Sequence, residues 1–121
     1  MSGTAPHIQT GQLGEHLAAA HFSQFGFTIV ERNWRFRRRE VDIIAHKGDI
    51  IHFIEVKTRT STKYGLPETA VSPQKMNFLK DAAEAYQVQF PQWKKVQFDV
   101  VAIVLHLNKI KEIHVNWDVY F

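Results

Sequence analysis

Two apolar segments, residues 41–45 and 50–56, place the tightest constraint on how this chain can fold. Each has the length and the branched side chains of a buried strand, and between them lies His46-Lys47-Gly48-Asp49, a cluster typical of a turn. The segments are therefore predicted to form a β-hairpin. Apolar residues lie on both predicted faces, as in strands that are covered on both sides. Val41, Ile43, Ala45, Ile54 and Val56 are assigned to one face, and Ile44, Ile51 and Phe53 to the other.

Acidic residues interrupt both predicted strands. Asp42 lies in the first strand, and Glu55 lies in the second, two residues before Lys57. Because side chains alternate between faces along a strand, Glu55 and Lys57 share a face. A two-residue loop at Lys47-Gly48 places Asp42 diagonal to Glu55, a four-residue loop places it directly opposite, and a three-residue loop separates the two acids. A shared acidic site therefore requires an even loop or a compensating bulge.

Two carboxylates inside an apolar sheet need a compensating charge. At about 4 Å they repel by roughly 4 kcal/mol at an effective dielectric near 20, whereas a small domain is stable by only about 5–15 kcal/mol. A hard, oxygen-seeking cation relieves this repulsion, so the pattern predicts Mg²⁺, with Mn²⁺ as a substitute. The alternative is that the acids lie on a solvated face or pair with arginine side chains.

Five of the six arginines of the chain lie together, directly before the Asp42 strand. They are Arg32, Arg35, Arg37, Arg38 and Arg39, in a stretch predicted to connect two strands. Guanidinium groups suit phosphate contacts, and the interleaved Trp34 and Phe36 suit stacking on bases or sugars. The alternative is a solvated, charged loop. The neighbouring acidic site favours a nucleic-acid surface, which Arg59 and Lys75 extend.

The other segments indicate two helices and three further strands in one α/β domain over residues 1–121, with residues 1–10 as a flexible lead-in. Helix one is predicted over 12–25, with Gly26 as its stop, and strand one over 27–31. Helix two is predicted from the Ser72 cap to Pro91. Two further strands are predicted over 96–105 and 110–115, joined by a turn at Asn108-Lys109. The first three strands are expected to form an antiparallel meander. A loop is expected over 58–66, and the placement of the fourth strand stays open.

Three further polar residues have two interpretations each. Glu15, near the start of helix one, either approaches the sheet edge or interacts with the helix dipole, and its spacing alone favours the dipole. Lys75, in the first turn of helix two, is either a phosphate ligand or an ordinary exposed lysine, and the second is favoured. Asp99 either supports the acidic site or accepts hydrogen bonds from a nearby turn, and we favour the turn.

Composition excludes several other kinds of protein. The chain has no cysteine, so disulfides, thiolate metal sites and cysteine redox chemistry are excluded, and a reducing cytoplasm is the expected location. No segment has the pattern of a secretion signal or the length of a membrane span, so no membrane partner is expected. The seven histidines lack the i, i+4 spacing of a helical zinc site.

An acid on an N-terminal helix, followed by Asp and then Glu-x-Lys on adjacent strands, resembles the pattern of the PD-(D/E)xK nuclease superfamily. The chain resembles the bacterial YraN family of predicted endonucleases more closely. The blocks that carry this resemblance are Gly14-Glu15, Arg32-Asn33-Trp34-Arg35, Glu40-Val41-Asp42-Ile43-Ile44-Ala45, Phe53-Ile54-Glu55-Val56-Lys57-Thr58-Arg59, Lys75 and Phe98-Asp99-Val100. Arg39 and Gln97 depart from the glycine and the arginine usual in that family.

The resemblance implies a restriction-endonuclease-like core, a mixed β-sheet flanked by helices, similar to archaeal Holliday junction resolvases. It implies an acidic set of Glu15, Asp42 and Glu55, with Lys57 as the catalytic lysine. Asp42, Glu55 and the Val56 carbonyl are the metal ligands that we predict on this basis.

The expected function is therefore Mg²⁺-dependent hydrolysis of phosphodiester bonds in DNA, with branched or junction DNA as a candidate substrate. Glu40 and Asp99 are candidate supporting residues, and a homodimer is expected because related resolvases work as dimers. Two alternatives stay open. The chain is a non-catalytic nucleic-acid-binding or adaptor protein that keeps the nuclease fold, or it is a protein-interaction domain whose Trp34, Trp93 and Trp117 serve packing or a partner interface.

Overall fold

A computed structural model describes residues 6–60 and 69–119 of the chain. The elements are helix α1 (Pro6–Gln24), strands β1 (Thr28–Phe36), β2 (Arg39–Lys47) and β3 (Ile50–Arg59), helix α2 (Pro73–Gln89), and strands β4 (Lys95–His106) and β5 (Lys109–Asn116). The strands form one mixed sheet in the order β1-β2-β3-β4-β5. The fold is therefore α/β, as predicted, and it is consistent with a restriction-endonuclease-like core.

The direction of each strand follows from how the chain is connected. Strands β1, β2 and β3 pair antiparallel, which confirms the predicted meander. Strand β4 is parallel to β3, and β5 returns antiparallel to β4. A parallel neighbour requires a crossover, and the segment that contains α2 provides it. The fourth strand, whose place the sequence left open, thus lies beside β3 at the interior of the sheet.

Each face of the sheet is covered by one helix. On the α1 side, the buried core includes Ala18, Phe22, Ile43, Ile54 and Val101. On the α2 side, it includes Ile44, Phe53, Met76, Leu79 and Tyr86. Strand β3 contributes to both clusters, so its predicted burial on two faces is confirmed.

Helix α1 begins earlier than the sequence predicts. It starts at Pro6, six residues before the predicted start, because proline is tolerated in the first turn of a helix, where its missing N–H has no partner to lose. The predicted lead-in therefore overlaps the helix from residue 6, and residues 1–5 lie outside the described part of the chain. The predicted stop is confirmed: Gly26 has a φ of +90°, and the Phe27 N–H donates to the Phe22 carbonyl at 3.0 Å.

The arginine-rich stretch is a β-hairpin and not the connection that the sequence predicts. Strand β1 continues to Phe36, and only Arg37 and Arg38 form the turn, with Arg37 at a φ of +57°. Trp34 stacks on Phe36 at 6.0 Å and meets Tyr86 of α2 edge-on at 5.2 Å. These aromatic residues are therefore half-buried, because they pack against α2 as well as forming part of the hairpin surface.

The second half of the chain agrees with its predicted elements. The Ser72 hydroxyl caps α2 by accepting the Lys75 N–H at 3.1 Å, and Pro73 is in the first turn. The β4–β5 turn lies at Leu107 and Asn108, one residue earlier than predicted, with φ values of +50° and +64°. The loop predicted over 58–66 falls partly on β3, and its residues 61–66 lie outside the described ranges.

Candidate metal centre and nucleic-acid surface

The β2–β3 turn decides whether the two acids meet. It consists of Gly48 and Asp49, and Lys47 pairs with Ile50. The turn has the predicted even length but lies one residue later than Lys47-Gly48. The pairing of β2 with β3 is therefore shifted by two residues relative to the predicted pairing. Ile43 pairs with Ile54, and continuing the same pairing by one residue places Asp42 opposite Glu55. The parity required for a shared acidic site is met.

Asp42 lies where the ladder between β2 and β3 ends. Its Oδ2 accepts the Val56 backbone N–H at 2.8 Å, in place of a backbone carbonyl. Val41 packs on the α2 side and Ile43 on the α1 side, so the backbone rotates at Asp42. The prediction that Val41 and Ile43 share a face is therefore wrong. Since the N–H and C=O of one extended residue point to the same edge, the Val56 carbonyl is also directed towards β2.

The surroundings of Asp42 disfavour its negative charge. Burial has the largest effect and raises the pKa of its carboxyl, and the negative charges of Glu15 and Glu55 raise this pKa further. The hydrogen bond from the Val56 N–H and the positive charge of Lys75 lower it. The resulting pKa is about 6, against an ordinary value of 3.8. Three carboxylates thus lie close enough to interact, and a bound cation would relieve their repulsion.

Two lysines border Glu55 from different elements. Lys75 Nζ of α2 lies 2.8 Å from Glu55 Oε1, and both side chains are mostly buried. Lys57, on the same face of β3, donates to the Ala70 carbonyl at 3.2 Å. Lys75 is therefore not the ordinary exposed lysine that its sequence context favours. Glu55 and the two lysines line a cavity of about 460 Å³ together with Arg39, Ala70, Val71 and Ser72.

Glu15 is carried to the site by the middle of helix α1. The helix starts at Pro6 and has no acidic residue in its first turn, so the helix-dipole interpretation of Glu15 is wrong. The preceding residue, Gly14, is buried against Thr58 of β3. A Cβ at Gly14 would lie 2.8 Å from the Thr58 Cβ, so only glycine permits this approach. The contact sets the height of Glu15 above the sheet.

This close approach predicts that Gly14→Ala destabilises the protein. The added methyl group would overlap Thr58 at its Cβ, which cannot rotate away, and overpacking of this kind costs about 1–3 kcal/mol. Gly11→Ala is the matched control, because nothing lies within 4 Å of a Cβ there, and alanine is favoured in a helix by about 1 kcal/mol. Urea denaturation of both variants measures the difference. A Gly14→Ala protein as stable as Gly11→Ala would contradict the packing described.

The donor atoms at the site suit a hard divalent cation. Mg²⁺ commonly binds one or two carboxylates and keeps several waters, so Asp42, Glu55 and the Val56 carbonyl form a suitable set. Within residues 6–60 and 69–119, no three His, Cys, Asp or Glu side chains are grouped closely enough to hold a metal ion by themselves. Glu15 acts on Asp42 through its charge.

The predicted basic residues divide into two groups. Arg37, Arg38 and Arg39 line a second groove of about 660 Å³ with Gln74 and Phe78, and Arg39 also lines the acidic cavity. Arg32 and Arg35 line neither, and Arg35 Nη1 lies 4.0 Å from a carboxylate oxygen of Glu40 on the exposed surface of the hairpin. Arg59 is exposed at the end of β3. The structure thus brings Arg39 to the acidic cavity and places Arg37 and Arg38 in the groove, where Arg37 Nη1 lies 3.3 Å from Asp81 Oδ2.

Comparison with known proteins agrees with the motifs. Residues 14–103 match the family model described as uncharacterised protein family UPF0102. A UPF0102 protein of Syntrophus aciditrophicus is 46% identical over 100 residues, which cover 82% of this chain and 79% of that protein. One of Syntrophomonas wolfei is 43% identical over 108 residues, covering 88% and 94%. The chain belongs to family UPF0102.

Membership in UPF0102 confirms the resemblance to the YraN family, which is the same family. The matched region contains Glu15, Asp42, Glu55, Lys57 and Lys75. No helix in the described ranges of this UPF0102 member is long and apolar enough to cross a membrane.

Asp99 belongs to a polar network that the sequence did not reveal. It is fully buried, and its carboxylate lies 2.6 Å from His52 Nδ1 and accepts the Gln97 side-chain amide and the Asp118 backbone N–H. The sequence favoured hydrogen bonds to Asp99 from a nearby turn; Asp99 does accept a backbone N–H, but its donor, Asp118, follows β5 and is not in a turn. His52 was missed because it lies 47 residues from Asp99 in the chain.

Phe78 and Gln74 of α2 are the other residues that sequence reasoning missed. Neither belongs to the apolar stripe that the sequence predicts for that helix, which is Met76, Leu79, Ala83, Tyr86 and Phe90. A usable signal exists, because Lys75 and Phe78 are three residues apart and therefore neighbours on the helix surface. Lys75 Nζ lies 5.3 Å from the centre of the Phe78 ring.

Proposed function

We propose that this protein is a Mg²⁺-dependent endonuclease that hydrolyses phosphodiester bonds in DNA, with branched or junction DNA as a candidate substrate. One observation carries the proposal. The Asp42 carboxylate is held at the end of the β2–β3 ladder by the Val56 N–H, next to Glu55 and within reach of its charge, and Lys57 lines the same cavity as Glu55. Paired carboxylates beside a lysine suit metal-assisted phosphodiester hydrolysis.

In this proposal, Asp42, Glu55 and the Val56 carbonyl would hold the ion. Asp42 Oδ2 already accepts the Val56 N–H, and the carboxylate keeps further lone pairs that would be available to an ion. When bound, Mg²⁺ polarises a phosphoryl oxygen and stabilises the charge of the leaving oxygen. Glu15 adds negative charge that strengthens cation binding.

Lys57 is the residue assigned to the reacting groups. An ammonium group has three N–H donors, and Lys57 uses one for the Ala70 carbonyl. Its remaining donors orient the attacking water or neutralise the charge that develops on the phosphate. Lys75, which pairs with Glu55, and Arg39 line the same cavity and would supply positive charge for the phosphate backbone.

A second candidate function is a non-catalytic nucleic-acid-binding or adaptor protein that keeps the nuclease fold. The ion pair of Lys75 with Glu55 favours it, because an internal cation already neutralises one of the two carboxylates. This candidate predicts nucleic-acid binding that falls steeply with salt through Arg37, Arg38 and Arg39. It also predicts that binding is indifferent to Mg²⁺ and to Asp42→Asn.

Cleavage of labelled DNA tests the first candidate against the second. Single-stranded, linear duplex and four-way-junction DNA are each incubated at low salt with Mg²⁺, Mn²⁺ or a chelator. We expect metal-dependent cleavage of at least one substrate. We expect Lys57→Ala to reduce its rate by about 10²–10³, because loss of one group that stabilises the developing charge has an effect of that size.

Lys94→Ala is the matched control for the loss of a lysine. Lys94 is exposed and precedes β4 at the end of the sheet away from Lys57, because Lys95 pairs with Ile50 at the start of β3. Its replacement is expected to leave the cleavage rate unchanged. Metal-independent binding of all DNA forms without any cleavage would reject the nuclease and favour the adaptor.

A further inference from the structure

The groove beside the acidic cavity is lined by one aromatic ring and by positively charged side chains. Phe78 of α2 lines it with Gln74, opposite the β1–β2 turn that carries Arg37, Arg38 and Arg39. The groove has a volume of about 660 Å³ and opens to solvent. An aromatic ring, guanidinium groups and one side-chain amide are the groups by which proteins stack on, and hydrogen-bond to, an unpaired nucleobase.

The Phe78 ring contacts one aromatic residue and two cationic groups. Its ring meets Phe36 at 5.9 Å, which anchors it on the hairpin. The Arg39 guanidinium lies 5.8 Å from the ring centre and Lys75 Nζ lies 5.3 Å from it. Both cations are long and flexible, so they can move to phosphates when a base takes their place on the ring.

The groove and the acidic cavity are neighbours. Arg39 lines both, and Lys75 connects them because its Nζ is 2.8 Å from Glu55 Oε1 as well as near Phe78. A phosphate held beside Glu55 therefore has its adjoining nucleotide within reach of Phe78. In an intact duplex that base is stacked in the helix and its face is covered, so it cannot stack on Phe78.

We infer that Phe78 is a stacking platform for an unpaired base next to the bound phosphate. The substrate class is thus nucleic acid with a single-stranded segment at the site, rather than uninterrupted duplex. Arg37, Arg38 and Arg39 hold the backbone of that segment, and the Gln74 amide lies at the edge of the base. This inference rests on the proposed nuclease function for the identity of the neighbouring site, but its test does not require cleavage.

Binding is measured by fluorescence anisotropy in EDTA at low salt, so that no cleavage occurs. The probes are a labelled mixed-sequence single strand, the same strand with a central run of abasic nucleotides, and the corresponding duplex. Because stacking of one base on an aromatic side chain changes affinity severalfold or more, the intact strand is expected to bind about tenfold more tightly than the abasic strand. The comparison of the two strands uses wild-type protein alone, so it does not depend on how any variant folds.

Phe78→Leu then locates the effect, and Phe25→Leu is the control, since Phe25 is 60% exposed at the far end of α1. Phe78→Leu is expected to reduce the preference for the intact strand to less than about twofold and to leave duplex affinity unchanged. Phe25→Leu is expected to behave as wild type. Equal binding of intact and abasic strands by wild type, or an unchanged preference in folded Phe78→Leu, would overturn the inference. The proposed function would instead be overturned if the wild-type protein showed no metal-dependent cleavage, so the two failures are distinguishable.

Discussion

Replacing Asp42 by asparagine is expected to lower the rate of Mg²⁺-dependent DNA cleavage at least about a hundredfold while the protein stays folded. Asparagine keeps the size of the side chain and an oxygen for the Val56 N–H, which Asp42 accepts at 2.8 Å. It loses the charge that a hard divalent cation requires. Replacing groups that only orient metal ligands already costs about 10–100-fold, and Asp42 is proposed to be a ligand itself. Initial cleavage rates over a series of Mg²⁺ concentrations measure the loss.

The control for this experiment is Asp49→Asn. Asp49 lies on the same hairpin, in the exposed β2–β3 turn, and its carboxylate pairs with Lys95 at 3.0 Å. We expect Asp49→Asn to cleave at the wild-type rate, because the turn is distant from Glu55. An Asp42→Asn protein that cleaves as fast as Asp49→Asn would exclude Asp42 from the reaction.

The same Asp42→Asn substitution is expected to make the protein more stable at pH 8. The Asp42 carboxyl has a pKa of about 6 in the folded protein, raised from 3.8 mainly by burial and then by Glu15 and Glu55. Each unit corresponds to about 1.4 kcal/mol, and partial solvent screening reduces the sum, so removing the charge gains about 1–3 kcal/mol. Urea denaturation of wild type and variant at pH 8 measures the gain in free energy of unfolding.

The pH dependence of this gain has a definite sign. A carboxyl with a raised folded pKa holds its proton more tightly in the folded protein, so its contribution to stability falls as pH rises from about 4 to above 6. Asparagine has no such dependence. The stability advantage of Asp42→Asn is therefore expected to be small near pH 4 and full above pH 7. An advantage that is absent at pH 8, or equal at both pH values, would show that Asp42 carries no buried charge.

Together these expectations describe a site that is costly to the fold. Natural proteins commonly keep destabilising charges where function needs them. Lys75 partly offsets the cost by pairing with Glu55 at 2.8 Å. A variant that is more stable and inactive is the signature of a functional carboxylate, whereas loss of a structural carboxylate lowers stability.

Strand parity was enough to predict that Asp42 and Glu55 lie close together, but not how they face each other. The prediction placed the turn at Lys47-Gly48, whereas turn chemistry favours Gly48-Asp49 with glycine first, and the two choices differ by two residues in register. The backbone rotates at Asp42, which sends Val41 and Ile43 to opposite sides, and the Asp42 carboxylate there accepts the Val56 N–H of the next strand. No local pattern encodes such a contact.

Other parts of the site depend on residues far apart in the chain. The hydrogen bond between His52 and Asp99 spans 47 residues, and the ion pair of Lys75 with Glu55 forms only because α2 crosses the sheet. Trp34, for which the sequence allowed either stacking on nucleic acid or packing, is half-buried and meets Tyr86 of α2 edge-on at 5.2 Å. Helix patterns predicted that α2 exists and where it is capped. They did not predict which strand residues it covers, and so they missed Phe78.

A calorimetric titration of Mn²⁺ into wild type and Asp42→Asn, without DNA at pH 8, addresses the shared cation itself. Mn²⁺ takes the oxygen ligands that Mg²⁺ takes, and the titration needs no knowledge of the substrate. We expect one ion to bind per wild-type chain and the affinity to be at least about tenfold weaker in Asp42→Asn. Losing a metal ligand is expected to reduce metal affinity at least as much as losing a residue that only orients a ligand. Equal Mn²⁺ affinity in the two proteins, or no binding by wild type, would contradict a metal site at Asp42 and Glu55.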